Sequence, residues 1–195
     1  ARSPAASAGR APEADVRKVV TIVFADLVGS TALHERLDPE SVRRVMDRYY
    51  AALRAAVDAH GGTVVKLLGD GVMAAFGLKR VAEDDALRAV RAAAAMQDAF
   101  RTLVLTTAAL GAAGLRVAVN TGEVVVSGAQ DDVLGDPVNV AARLQDQGRD
   151  GDVVVGEATR RLVATRVTLA PLGTVALKGR AEAVAAYRLE SLAPP

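Results

Sequence analysis

The sequence predicts an α+β sandwich in which strands and helices are mixed along the chain. Three observations lead to this prediction. Runs of β-branched residues are typical of buried strands, Asp-Pro pairs precede helical apolar spacings, and an Asp-Gly junction joins two short apolar runs as a hairpin. Hairpins and helical crossovers together favour a ferredoxin-like βαββαβ core sandwich over a doubly wound sheet. The chain has neither GxGxxG nor GxxxxGK(S/T), which excludes the Rossmann and Walker motifs.

Composition narrows the class of protein further. The chain has 195 residues, of which 51% are hydrophobic, enough for one globular domain with a core. A net charge of +1 does not favour a nucleic-acid partner, and the absence of cysteine excludes disulfides and thiolate metal sites. No apolar run approaches the roughly 20 residues that span a bilayer. We therefore expect a cytoplasmic location, either for this protein or for the cytoplasmic part of a larger one.

The two ends of the chain differ in composition from the rest. Residues 1–17 are rich in Ala, Ser, Pro and Gly and are predicted to form a flexible linker or disordered arm. Residues 18–190 are predicted to form the folded domain, and residues 191–195 a tail. The arm suggests a regulatory domain upstream in the full-length protein.

The first elements follow from local patterns. A β-branched run at 19–24 predicts a buried strand, followed by Asp26 and a loop at 27–31. Asp38-Pro39 then begins a helix with apolar residues at helical spacing, which ends at His60-Gly61-Gly62.

The middle of the chain predicts a hairpin and a long helix. Residues 63–68 and 72–76 flank Gly69-Asp70-Gly71, which indicates a β-hairpin with Asp70 in its turn. An Ala-rich helix is predicted at 81–104, whereas the end of the stretch 102–113 has no clear signal. The remaining predicted elements are strands at 115–120 and 123–127 joined at Thr121-Gly122, a helix at 137–147 capped by Asp136-Pro137, a strand at 153–155, a short helix from Glu157, and strands near 166–177 and 184–189.

Asp26 and Asp70 are the first candidates for chemistry. Each alone has an ordinary explanation, since aspartate caps helices and Asp-Gly forms turns. Two carboxylates brought close together repel one another unless a cation lies between them. Oxygen ligands without nitrogen or sulfur suit Mg²⁺ or Mn²⁺ better than zinc. The pair is therefore a candidate site for a divalent cation, Mg²⁺ or Mn²⁺.

Two other groups of residues suggest a ligand. Backbone N–H groups in the loop 27–31 precede a helix and are typical of an anion site, which beside carboxylates suggests a nucleoside polyphosphate. Asn139 and Arg143 share one helix face at a spacing of i and i+4, although a simple surface pair explains them equally well. His34 and His60 lie outside any ligand spacing, and we expect both to be structural or solvated.

Four segments together resemble a known family. FADLVGST (24–31), VVKLLGDGVMAAF (64–76), DVLGDPVNVAARL (132–144) and LKGR (177–180) are similar, in order and spacing, to the catalytic domain of class III adenylate/guanylate cyclases. The resemblance runs from about residue 19 to 189. It implies the cyclase type of ferredoxin-like sandwich and an adenylate cyclase, which converts ATP to 3′,5′-cyclic AMP and pyrophosphate.

The resemblance implies roles for individual residues. Asp26 and Asp70 correspond to the metal-binding aspartates, with the carbonyl of Leu27 as a further ligand. Lys66 corresponds to a lysine that reads the adenine ring, and Asp132 to the acceptor for its amino group. Asn139 and Arg143 correspond to the pair that orients the ribose and stabilises charge on the α-phosphate. Other positions implied to contact substrate are Phe24, Gly29, Ser30, Thr31 and Lys178, the last at the terminal phosphates.

The resemblance also implies an assembly. In such cyclases each site is shared between two subunits, so a chain with both sets of residues implies a head-to-tail homodimer. Glu123 departs from the pattern, because some members have a phosphate-binding arginine there. That second cation is either missing here or supplied from elsewhere, for example by Arg180. Two alternatives remain: a guanylate cyclase, which Lys66 and Asp132 disfavour, and a catalytically silent module for dimerisation or nucleotide sensing.

Overall fold

The computed structural model describes residues 15–127, 132–176 and 182–194. Within these ranges the chain forms five α-helices and eight strands, which confirms the predicted α+β class. The strands are β1 (Val16–Val28), β2 (Thr63–Leu68), β3 (Gly71–Phe76), β4 (Gly114–Ser127), β5 (Asp132–Leu134), β6 (Val153–Gly156), β7 (Val167–Val175) and β8 (Val184–Leu192). The helices are α1 (Ser30–Arg36), α2 (Pro39–Ala59), α3 (Asp85–Thr106), α4 (Asp136–Gln145) and α5 (Glu157–Val163).

The described strands form one sheet in the order β2-β3-β1-β4-β6-β8-β7, and β5 pairs with the end of β4. The β4–β6 pair is parallel, and the other pairs are antiparallel. No helix in the described ranges is long and apolar enough to cross a membrane. The predicted domain boundaries remain a prediction, although β1 already begins at Val16.

Strands β1 and β4 form the central ladder of the sheet. Their register runs through thirteen pairs, from Val16 opposite Val126 to Val28 opposite Gly114. The prediction of two strands, at 115–120 and 123–127, was therefore wrong, because β4 passes without a break through Thr121 and Gly122. A Thr-Gly pair favours a turn in isolation, but pairing with β1 along the whole length holds this segment extended.

Gly122 has a packing role in the ladder. A Cβ atom at this position would lie 2.4 Å from Cγ of Pro137, the proline in the first turn of α4. The missing side chain therefore lets α4 lie close against β4. This helix carries Asn139 and Arg143, so the glycine helps to set their place above the sheet.

The two faces of the sheet bury different clusters. The larger cluster, which includes Tyr49 of α2 and Phe100 of α3, covers one face. Two further clusters lie on the other face, beneath α4. The one called the smaller cluster below includes Ile22 of β1, Met73 of β3 and Ala141 of α4. Side chains alternate along a strand. Ile22 and Phe24 of β1 belong to the smaller cluster, and Asp26 is two positions after Phe24. The side chain of Asp26 therefore points to the same face of the sheet.

Helix α2 begins as predicted, whereas the boundaries of α3 and α4 differ from the predictions. Asp38 caps α2 as predicted, accepting a hydrogen bond of 2.9 Å from the N–H of Ser41. Helix α3 begins at Asp85 and continues to Thr106, and a 3₁₀ turn at Ala108–Leu110 then leads into β4. Helix α4 is capped by Gly135, whose φ of 148° suits glycine, and Asp136 is its first residue rather than its cap.

Candidate active site

Asp26 and Asp70 lie beside each other on two neighbouring strands. Asp26 is near the end of β1, where it pairs with Gly71 of β3, and Asp70 immediately precedes that glycine. Burial raises the pKa of Asp26, and the charge of Asp70 raises it further. The two carboxylates are thus close enough to repel one another, as the sequence predicted. Such a partly buried pair is suited to a divalent cation.

The turn that carries Asp70 is held by three hydroxyl groups. Tyr49 of α2 is fully buried, and its Oη donates a hydrogen bond of 3.0 Å to the carbonyl oxygen of Asp70. The Oη of Tyr50 donates to the carbonyl oxygen of Gly69. Ser30, at the start of α1, donates from its Oγ to Oδ2 of the Asp70 carboxylate. Both the backbone and the side chain of Asp70 are therefore fixed by neighbouring helices.

Asp26 is held differently, within the ladder between β3 and β4. Arg116 of β4 is its partner in the register, and Nη2 of Arg116 lies 4.0 Å from Oδ2 of Asp26. Asp146, which follows α4, also raises the pKa of Asp26, whereas Arg116 lowers it. Asp26 thus experiences opposing charges, from the carboxylates of Asp70 and Asp146 and from the guanidinium of Arg116.

Lys66 and Asp132 meet on the same face of the sheet. Nζ of Lys66 lies 3.7 Å from Oδ1 of Asp132, although β2 and β5 belong to distant parts of the strand order. An irregularity between Val64 and Lys66 shifts the β2 register, so that Lys66 pairs with Met73 of the smaller cluster. Both side chains are about half exposed, at 53% and 41%. They therefore retain access for a ligand.

Asn139 and Arg143 lie on the exposed side of α4. Val140 and Leu144, on the same helix, are buried, and Asn139 and Arg143 share the exposed face that their spacing predicts. Within the described residues, no hydrogen bond or ion pair joins Asn139 or Arg143 to Asp26 or Asp70. The fold therefore presents the Asn/Arg pair and the carboxylate pair as separate groups.

The other predicted residues have varied surroundings. Leu27 and its neighbour Val28 lie in β1 rather than in a loop, and Phe24 is half buried in the smaller cluster. Gly29, with φ of 86°, caps α1, while Thr31 is exposed. The predicted positions Lys178 and Arg180 lie outside the described residues.

Three further predictions concern charged or titratable side chains. Glu123 forms an exposed ion pair with Arg17, with Nη1 and Oε1 3.0 Å apart. His34 is exposed, and Nδ1 of His60 lies 2.8 Å from the carbonyl oxygen of Ala56 in its own helix. Both histidines thus have structural or solvated surroundings, in agreement with the prediction.

A metal at this site would rely on few side chains. Within the described residues, no group of three or more His, Cys, Asp or Glu side chains is placed to hold an ion. Asp26 and Asp70 would then supply two carboxylate ligands, and further ligands would come from backbone, water or a bound phosphate. Such an open set is typical of Mg²⁺ and Mn²⁺ sites that take a phosphorylated substrate.

Tyr49, Tyr50 and Arg116 were missed by sequence reasoning. Tyr49 matches the apolar spacing of α2, which indicates a core residue and gives no partner for its hydroxyl. Arg116 carried a usable signal, since it interrupts the apolar strand around Leu115 and Val117, where a charge is costly without a purpose.

Sequence comparison matches nearly the whole chain to one family of catalytic domains. A profile described as the adenylate and guanylate cyclase catalytic domain matches residues 13–191. Adenylate cyclase 1 of Rhizobium meliloti is 31% identical over 186 residues, which cover 89% of this chain and 28% of that protein. An adenylate cyclase of Mycobacterium bovis is 31% identical over 179 residues, which cover 86% of this chain and 38% of that protein. The chain therefore spans well under half the length of these relatives.

Solved structures share the fold over nearly the whole chain. The adenylyl cyclase CyaB from P. aeruginosa superposes with a TM-score of 0.86 at 28% identity, covering 92% of this chain and 97% of that one. The guanylyl cyclase Cya2 superposes with a TM-score of 0.85 at 30% identity, covering 92% and 95%. The similarity thus extends equally to a protein named for adenine nucleotides and to one named for guanine nucleotides.

Proposed function

Since the chain belongs to the adenylate and guanylate cyclase catalytic domain family, we propose that it converts ATP to 3′,5′-cyclic AMP and pyrophosphate. One observation supports adenine in particular: Nζ of Lys66 and Oδ1 of Asp132 are 3.7 Å apart, and both are accessible. The ammonium is a donor for a ring nitrogen, and the carboxylate is an acceptor for the exocyclic amino group. Guanine presents a carbonyl oxygen and a ring N–H at the corresponding edge, so it meets this pair with donors and acceptors reversed.

Asp26 and Asp70 are proposed to hold two divalent ions, Mg²⁺ or Mn²⁺, with the carbonyl of Leu27 as a further ligand. When bound, such ions lower the pKa of an attacking hydroxyl and neutralise charge on a triphosphate. The residues fit this role, because two partly buried carboxylates that repel each other are stabilised by cations. Ser30 fixes one of the two carboxylates through its hydrogen bond to Asp70.

Asn139 and Arg143 are proposed to act on the substrate held by a second copy of the chain. Both are exposed on α4, and neither is bonded to the carboxylate pair of its own chain. In a head-to-tail homodimer, a two-fold axis brings the α4 of each subunit to the metal site of the other. The dimer therefore has two equivalent sites. Asn139 then orients the ribose, and Arg143 offsets charge that develops on the α-phosphate. Phe24, Gly29, Thr31 and Lys178 are proposed as further substrate contacts.

The test is to identify the product. The purified chain is incubated with Mn²⁺ and either ATP or GTP, and the nucleotides are separated by chromatography. Cyclic AMP from ATP, with little cyclic GMP from GTP, supports the proposal. Cyclic GMP as the main product supports a guanylate cyclase instead. Absence of both products, in a preparation that still binds nucleotide and dimerises, supports a silent module.

Complementation tests the shared site. We expect Asp70→Ala and Asn139→Ala to be inactive alone and to regain up to about a quarter of wild-type activity when mixed, because a mixed dimer has one site with no substitution. Chains with different affinity tags show by co-purification that mixed dimers form. Mixed dimers without activity would contradict a shared site, and the same variant in both tagged chains serves as the control.

A further inference from the structure

Arg116 is a cation set within the central ladder, opposite Asp26. Its side chain is 29% exposed, and that of Asp26 is 32% exposed, so both are partly shielded from water. Its neighbours along β4, Leu115 and Val117, are buried and apolar. The backbone carbonyl of Arg116 accepts a hydrogen bond of 3.0 Å from Nε2 of Gln145, which ties this point of the sheet to the end of α4. The position of Arg116 is therefore well defined.

Arg116 acts on Asp26 through charge rather than through a hydrogen bond. The distance of 4.0 Å between Nη2 and Oδ2 is longer than a hydrogen bond allows. Its Nε is buried and has no hydrogen-bond partner within the described part of the chain. A buried, unpaired N–H is unfavourable. The guanidinium of Arg116 therefore gains little from hydrogen bonds at Nε or to Asp26. Its positive charge is the property that can act on Asp26.

The surroundings of Arg116 carry an excess of negative charge. Asp70 precedes Gly71, which pairs with Asp26 on one side of β1, and Arg116 pairs with Asp26 on the other side, with its Nη2 4.0 Å from Oδ2. The ion pairs of Lys66 and Arg17 are made with other partners, Asp132 and Glu123. Within the described residues, Arg116 is thus the cation that faces Asp26 when no metal is bound.

We propose that Arg116 is a positioning residue that serves as the fixed counter-ion of the Asp26–Asp70 pair. It holds the two carboxylates together before a divalent cation binds, and its charge opposes the binding of that cation. The inference rests on the proposed metal role of Asp26 and Asp70. It has a distinctive consequence: loss of the charge weakens the metal-free protein and strengthens metal binding, whereas loss of a purely structural residue does not strengthen metal binding.

The experiment measures the binding of Mn²⁺ alone, without nucleotide, from the electron paramagnetic resonance signal of the free ion. We expect Arg116→Met to bind Mn²⁺ about fivefold more tightly than the wild type, because repulsion between guanidinium and metal is removed. In EDTA the thermal midpoint of the variant is lower than that of the wild type, and the difference shrinks as Mn²⁺ is added. Arg116→Lys keeps the charge and retains wild-type affinity.

Three controls separate the possible failures. Arg17→Met removes the same charge from an exposed ion pair on β1 and leaves Mn²⁺ affinity unchanged. If the wild type and Asp26→Asn bind Mn²⁺ equally, the proposed metal site is wrong. If Asp26→Asn loses binding but Arg116→Met binds no more tightly than the wild type, only the inference about Arg116 is wrong. Arg116→Gln provides the same measurement if the Met variant does not fold.

Discussion

The two aspartates of the candidate site reach the same place by different means. Asp26 belongs to a strand of thirteen residues that is paired on both sides, with Gly71 of β3 and Arg116 of β4. Asp70 lies in the turn between β2 and β3, and its position depends on hydroxyl groups from α1 and α2. One carboxylate is therefore fixed by the backbone ladder, and the other by side chains.

This difference determines what a substitution can do. The backbone at Asp26 does not depend on one side chain, because the hydrogen bonds of the ladder on both sides are made by the backbone. The turn of Asp70 can be loosened by the loss of one oxygen atom from Tyr49, Tyr50 or Ser30, with the rest of the fold intact. The site thus combines a rigid half with an adjustable half.

The largest effect on activity is expected from substitutions that remove either carboxylate. Asp26→Asn and Asp70→Asn each keep the shape of the side chain and lose its charge, and we expect each to lower the rate of cyclic nucleotide formation about a thousandfold. The rate is measured with saturating Mn²⁺ and ATP. Near wild-type activity in either variant would contradict the proposed metal role of that residue.

A smaller effect is expected at the adjustable half. Tyr49→Phe removes the hydroxyl that holds the carbonyl oxygen of Asp70 and leaves the buried ring in place. We expect activity to fall about tenfold, and the Mn²⁺ concentration for half-maximal rate to rise, because the carboxylate is less well positioned. The measurement is a metal titration of the rate.

Tyr187→Phe is the matched control for this prediction. It makes the same chemical change in β8, where the hydroxyl contacts Glu157 rather than the site. We expect its metal dependence to equal that of the wild type. A loss of stability in Tyr49→Phe without a change in metal dependence would show that the hydroxyl serves the fold alone.

The smallest expected effect is on stability at the rigid half. Burial, with the charge of Asp70, raises the pKa of Asp26 above its ordinary value, so the ionised form is unfavourable in the folded metal-free protein. This cost to the free energy of folding is present in full at pH values above the raised pKa of Asp26. It disappears as the pH falls below the ordinary pKa of an aspartate, where the side chain is protonated in both states. Asp26→Asn should therefore raise the thermal midpoint in EDTA at neutral pH, by about 2 °C, and not at acidic pH. An equal effect at both pH values would contradict this explanation.

Local patterns predicted the parts of the structure that local chemistry determines. The cap of α2 at Asp38 and the hairpin with Asp70 in its turn depend on neighbouring residues, and both are present. The break predicted at Thr121-Gly122 was wrong, because the partner that holds this segment extended lies far away in sequence. For the same reason, the contact of Tyr49 with the Asp70 turn had no signal in the spacing of α2.

The candidate site was predictable mainly through the combination of motifs. No spacing rule brings Lys66 to Asp132, since the contact requires β5 to fold over the smaller cluster, in which Val133 of β5 joins Met73 of β3. The family resemblance anticipated this pairing from the order of the segments. The neighbours of Asp26 had no comparable signal in the sequence. Arg116 lies opposite Asp26 because of the register between β1 and β4, and the charge of Asp146 acts on Asp26 from the end of α4.

The ladder between β1 and β4 has a consequence for synthesis of the chain. Thr21 and Thr121, whose hydroxyl oxygens are 2.9 Å apart in the finished fold, are separated by 100 positions. During translation β1 therefore has its partner β3 long before β4 emerges, and its other edge is free meanwhile. An unpaired apolar edge is prone to pair with another chain. The rigidity that fixes Asp26 is thus obtained at the cost of a nascent chain that is open to aggregation until β4 arrives.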